Sequence, residues 1–179
     1  MNIFSFLRRR KPIPEPWAKY YTKEELNIKI PDISMYDQVK KSAHLYPEYI
    51  AYEYMGKKCL YKDLLNEINA WAKIFSKSGV KHGDIVSISL PNIPNVLVVL
   101  YALNKIGAIA NMVHPLSSEE EILISLNSTK SKYLVMLNTF YSKIENIIDN
   151  SKVEAVIFAS ASDYMPFFTK LAYNITQIG

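Results

Sequence analysis

The sequence predicts an open α/β fold, a parallel sheet flanked by helices and entered through an extended arm, a helix and a β-hairpin. Three observations predict it. From residue 84 onward, short apolar runs alternate with helical patterns; the connections between runs are too long for tight hairpins; glycine or a capping serine marks the boundaries. Strands joined by single helices lie parallel, with the helices packed on the sheet faces.

The arm, residues 1–33, holds Pro12, Pro14, Pro16 and Pro31 of the nine prolines. Proline removes a backbone donor and keeps its predecessor out of the helical region, so an extended path is expected. Residues 34–179 form the folded part. Ser34 can cap a helix whose apolar positions are Met35, Tyr36, Val39 and Ala43. Tyr49 to Tyr54 alternates, and Met55-Gly56-Lys57-Lys58 offers a turn before Cys59-Leu60-Tyr61, which reads as a hairpin. Leu64, Leu65, Ile68, Trp71, Ala72 and Phe75 then mark one face of a long helix closed by Gly79, and the two aromatics are expected in the core.

A strand follows at Asp84–Leu90, then a helix opened by Asn92 and Pro94 and apolar nearly all round to Ile106, which implies burial on several sides. Gly107 ends it before a strand at Ala108–Val113. Ser118 and Glu121 have capping-box spacing for a helix to about Ser128. A strand at 132–137, a helix from Phe140 to Ile148 and a strand at Val153–Phe158 complete the pattern.

A length of 179 residues suits one core of ordinary size, and 49% apolar with 21% charged residues is a globular balance. The net charge of +4 comes from Arg8, Arg9, Arg10 and Lys11; beyond Lys11, seventeen basic residues face seventeen acidic ones. A basic footprint confined to a tail is not the stripe that tracks phosphates, so no nucleic-acid partner is expected. The tail does place Ile3, Phe4, Phe6 and Leu7 before four cations, a pattern for weak peripheral membrane contact through residues 3–11. Cys59 is the only cysteine, no secretory pattern opens the chain, and its longest apolar run is the eight residues Val96–Leu103. A cytoplasmic protein, at most peripheral to a membrane, is the expectation.

Open parallel sheets bind ligands beyond the carboxyl ends of their strands. Glycines stand only at 56, 79, 83, 107 and 179, which makes neither a dinucleotide fingerprint nor a P-loop. His44, His82 and His114 lie far apart, without the ligand clustering of a metal site, and no Gly-x-Ser-x-Gly pentad is present. No catalytic, cofactor-binding or metal-ligating residue is therefore assigned. His114, following a predicted strand end, is the one candidate for lining a substrate pocket; the competing reading is a locally hydrogen-bonded loop histidine.

Several blocks in order carry a resemblance: Trp17-Ala-Lys-Tyr-Tyr21, Leu60-Tyr-Lys-Asp-Leu64, Gly79-Val-Lys-His-Gly-Asp-Ile-Val86, Leu90-Pro-Asn-Ile-Pro94, Ala102-Leu-Asn-Lys-Ile-Gly-Ala-Ile109, Pro115-Leu116 with Glu121, and Ala161-Ser-Asp-Tyr-Met-Pro-Phe167. Together they resemble the adenylate-forming (AMP-binding) superfamily, most of all bacterial long-chain fatty acid–CoA ligases. His114 stands where these ligases usually have asparagine. The resemblance implies an incomplete N-terminal domain of the acyl-CoA synthetase fold. It also implies a two-step reaction in the whole enzyme, with ATP, magnesium and coenzyme A, in which a fatty carboxylate becomes an acyl-adenylate and then an acyl-CoA. The family's nucleotide loop has no counterpart here, so this segment is expected to be inactive alone and to hold no cofactor. Expected partners are the remainder of the synthetase and a second copy of the chain. A non-catalytic binding or interaction module that keeps part of the fold is the alternative.

Overall fold

The computed structural model describes residues 15–176, with side chains to residue 173. The chain divides into two compact units, 1–32 and 33–179. In the first, the described residues are not uniformly extended: helix α1, Lys23–Leu26, begins at Thr22. The Thr22 hydroxyl accepts from the Glu25 amide while Glu25 accepts from the Thr22 amide, a reciprocal cap that overrides the prolines' extended bias locally. The membrane-contact segment 3–11 lies outside the described residues.

The second unit opens with α2, Met35–Leu45, capped by Ser34, whose hydroxyl accepts from the Asp37 amide. Strands β1, Ile50–Tyr54, and β2, Lys57–Leu60, form the antiparallel hairpin. Tyr54 pairs with Lys57, so the turn is only Met55 and Gly56, both at positive φ (51° and 81°), as a twist-matched two-residue turn requires. Helix α3, Tyr61–Lys77, buries Leu64, Ile68, Ala72 and Phe75. Trp71 packs beside Phe75 with ring centroids 5.6 Å apart, a core role for both aromatics.

Four parallel strands make the main sheet: β3, Ile85–Ser89; β4, Ile109–Met112; β5, Tyr133–Leu137; β6, Ala155–Ala159. Their order is β4-β3-β5-β6. Helix α4, Pro94–Ile106, joins β3 to β4, and α5, Glu119–Thr129, joins β4 to β5. Because a strand's side chains alternate between faces, β3 sends Val86 and Ile88 into the core shared with α3 and α4. Its Ser87 hydroxyl instead meets Ser131 Oγ at 2.7 Å and accepts from Asn111 Nδ2 at 2.9 Å. Asn111 also reaches Ser125 of α5 at 3.2 Å, which satisfies these polar groups. On that side Ile122, Leu126, Leu134, Met136 and Ile144 form a second core. The sheet is thus covered on both faces, as a parallel sheet must be.

Two expectations need correction. The helix read from Phe140 to Ile148 is broken into a 3₁₀ turn at Asn138–Phe140, α6 at Ser142–Glu145, and a 3₁₀ turn at Ile148–Asn150. Only Ile144 and Ile147 of this stretch are buried, and Asn138, Asn146 and Asn150 favour local turns over a continued ladder. The predicted strands begin and end a residue or two early or late; Asp84, for example, precedes β3, held in the turn where its Oδ2 accepts from the Lys81 amide and its Oδ1 pairs with Lys132. After β6 a 3₁₀ turn, Ala161–Tyr164, leads to α7, Phe167–Thr176.

Candidate functional site

The chain leaves β3 for β4 on one side and returns to β5 on the other, so the sheet has a switch point beside β3, where such folds leave a crevice past the carboxyl ends. A groove of about 430 Å³ lies at that edge. Leu90, Pro91 and Asn92 after β3, Val96 in the first turn of α4, Met112 at the end of β4, His114, Pro115 and Leu116 after it, and Phe140 after β5 line it. Seven of these nine side chains are apolar; only Asn92 and His114 are polar.

The loop after β4 is held in place from within. The Val113 amide donates to the Ile88 carbonyl at 2.9 Å, continuing strand pairing one residue past β4. His114 Nδ1 accepts from the Leu116 amide at 3.2 Å, which leaves Nε2 as the ring's donor. Lys143 Nζ donates to the Pro115 and Ser117 carbonyls at 3.4 and 3.2 Å and lies over the Phe140 ring. His114 thus has one ring nitrogen satisfied locally, and its exposed ring borders the groove.

A triphosphate needs clustered amides and cations, whereas this lining carries no cation, and the one lysine nearby is engaged by two carbonyls. Its surfaces suit an apolar chain with one or two polar contacts.

Behind the groove, Asn95 near the start of α4 is 1% exposed, and neither Nδ2 nor Oδ1 has a partner among the described residues. Leaving a buried amide unpaired costs about 1–3 kcal/mol. Sequence reasoning passed over it because one asparagine in an apolar helix start carries no periodic signal.

A second cavity, of about 360 Å³, lies among the hairpin, α3 and Tyr164. The Tyr52 hydroxyl donates to Glu67 Oε2 at 3.3 Å, Tyr164 lines the same cavity, and the two rings meet edge to face at 6.4 Å. Burial raises the Glu67 carboxyl above its ordinary value of 4.5, partly opposed by the tyrosine hydroxyls; burial likewise pushes up both phenols and the Cys59 thiol. A carboxyl raised in the folded state binds its proton there more tightly than in the unfolded chain. Its stabilising contribution is complete below 4.5 and is lost as pH rises through the native value. Wild-type stability should therefore fall, relative to Glu67→Gln, as pH climbs above about 4.5. Urea midpoints across pH check this, and a difference that stays flat or grows in favour of the wild type contradicts it.

Comparison with known proteins bears on the fold and the family. Residues 39–173 match the family described as AMP-binding enzyme. The chain is 26% identical over 164 residues to a long-chain-fatty-acid–CoA ligase of Bacillus subtilis, covering 91% of this chain and 29% of that protein. A Haemophilus influenzae ligase of the same description is 25% identical over 142 residues, or 79% of this chain and 25% of its own length. Among solved structures, a long-chain-fatty-acid-CoA ligase from Archaeoglobus fulgidus superposes with a TM-score of 0.68 at 20% identity, over 76% of this chain and 30% of that one. The N-terminal domain of a Mycobacterium tuberculosis protein, FACL13, gives 0.67 at 19%, over 80% and 36%. At these identities the structural likeness speaks for the fold alone, and this chain spans under a third of the length of the two ligases it matches by sequence. With three quarters of its residues matched in order by the family, the chain belongs to the AMP-binding enzymes.

Proposed function

We propose that this chain supplies the N-terminal portion of a fatty acid–CoA ligase, and that the groove at the carboxyl edge of its sheet is a wall of the acyl-binding region. The observation that carries the reading is the groove's chemistry: apolar side chains from Leu90 to Phe140, bordered by Asn92 and His114, at the edge where open parallel sheets bind their ligands. The whole reaction would use ATP, magnesium and coenzyme A. In this reading, activation of the carboxylate by ATP is assigned to polypeptide outside residues 15–176.

The chain's own residues bind and orient. Val96, Met112 and Phe140 exclude water from an aliphatic chain, and the His114 Nε2 proton, directed by the Leu116 contact at Nδ1, is available to a carboxylate or carbonyl oxygen.

The test is fatty-acid binding to the chain by displacement of a fluorescent fatty acid. Val96→Glu, which puts a charge among apolar walls, should weaken binding on the order of tenfold or more, with His114→Gln weakening it less. Binding untouched by Val96→Glu removes the groove from the proposal. The chain alone should also show no fatty-acid-dependent exchange of pyrophosphate into ATP; clear exchange would show that it grips the triphosphate after all.

A further inference from the structure

The second cavity, of about 360 Å³ among the hairpin, α3 and Tyr164, shares no lining residue with the groove at the sheet edge. Its walls are fixed by the fold. The two-residue turn at Met55 and Gly56 holds β2 against β1, and Cys59 of β2 is buried. Tyr164 is held from the other side, in a 3₁₀ turn with a reciprocal cap. The Ser160 hydroxyl accepts from the Ser162 amide and Asp163 accepts from the Ser160 amide, both at 3.3 Å. The Tyr52 and Tyr164 rings stand at 61° to each other and make an aromatic corner.

The α3 wall is acidic. Asp63 and Glu67 are four positions apart on the helix, so they share a face, and like charges at that spacing repel. Asp63 adds to the burial that raises the Glu67 carboxyl, and Lys57 offsets this only in part. Among the described residues the ion pairs are Lys62–Glu48 and Lys132–Asp84, so neither acid of the cavity has a paired cation. Lys57 and Lys58 also line the cavity, but both are exposed to water. A partly buried carboxylate without a cation is a costly arrangement that a charged ligand relieves.

We infer that this cavity binds a small protonated amine with an apolar body. An ammonium answers both carboxylates at once: it donates to Glu67, to Asp63 and to the Asn66 amide oxygen, and its charge ends their repulsion. The Tyr52 and Tyr164 rings attract the same charge and shelter an alkyl or aryl body beside the Cys59 thiol. An anion fits poorly, since it would meet two carboxylates with only solvated lysine heads to hold it. The inference is independent of the fatty-acid reading.

The test is isothermal titration calorimetry of the full chain, near neutral pH, with phenethylamine and butylamine. Two analogues of the first accompany them: 2-phenylethanol, which is neutral, and 3-phenylpropionate, which is an anion. Phenethylamine is expected to bind at one site, about tenfold or more tighter than either analogue, since it alone makes charge-assisted bonds to the acids. Glu67→Gln should weaken amine binding on the order of tenfold, and Asp63→Asn severalfold. Both variants keep the side-chain shape and remove the repulsion, so the fold is retained, which circular dichroism verifies. Glu120→Gln, the same change of charge on α5, should leave amine binding unaltered and separates a local contact from net charge. The inference is overturned by undiminished binding to the folded Glu67→Gln and Asp63→Asn variants, or by an equal loss in Glu120→Gln. An analogue that binds as tightly as phenethylamine overturns it too, as does the absence of binding by both amines.

Discussion

Phe75→Ala is expected to lower the unfolding free energy by about 3–5 kcal/mol. Phe75 is fully buried on the α3 face that meets α4 and the sheet, in the larger of the two cores. Truncation removes the ring's transfer energy and leaves a void that cannot collapse easily, since Ile68, Val98 and Leu103 in the same core are themselves fully enclosed. Trp71, tilted against the ring at 5.6 Å, loses its neighbour as well. Urea unfolding followed by tryptophan fluorescence measures the loss. A drop below about 1 kcal/mol would mean that α3 packs more loosely on the sheet than the structure shows.

Gly107→Ala is the second large effect, expected to cost about 2–4 kcal/mol because two penalties coincide. Gly107 closes α4 at φ 74°, a left-handed conformation in which a side chain is strained. It also lies against His82: a Cβ would run into the imidazole ring, while the Gly107 carbonyl accepts from the Gly83 amide at 2.8 Å and fixes the approach. Gly56 supplies the control, having a similar φ of 81° at the hairpin turn with nothing near the added methyl. Gly56→Ala should therefore cost about 1–2 kcal/mol, the backbone strain alone. Equal losses in the two variants would show that the His82 contact relaxes freely.

The two substitutions probe features that differ in how they could be read. That a glycine ends α4 is visible in the sequence, since an apolar helical pattern stops at Gly107 before a fresh apolar run. That His82, from the loop before β3, rests on it is not, because the contact spans 25 positions. The same division runs through the candidate site. His114 was legible because ligands collect after strand ends and it follows one. Val96, Met112 and Phe140 were legible only as apolar positions, and nothing local distinguishes a groove wall from a core residue. The Tyr52–Glu67–Tyr164 cluster joins residues over a hundred positions apart and has no sequence signal. Phe140 to Ile148 was misread for a related reason: its apolar spacing suits a helix, but where only Ile144 and Ile147 are buried, the asparagines settle into turns.

The sequence by itself determined the alternation of strands and helices, the caps at Ser34 and Ser118, the glycine stops, the buried character of α4 and the ordered blocks shared with fatty acid–CoA ligases. These follow from interactions within a few residues, or from periodicity along one element, and a linear reading contains both. Only the tertiary structure decided the strand order β4-β3-β5-β6, the groove it opens beside β3 and the unpaired burial of Asn95. Those depend on which distant segments share a face, and that is set by burying both sides of the sheet at once rather than by any stretch of chain alone.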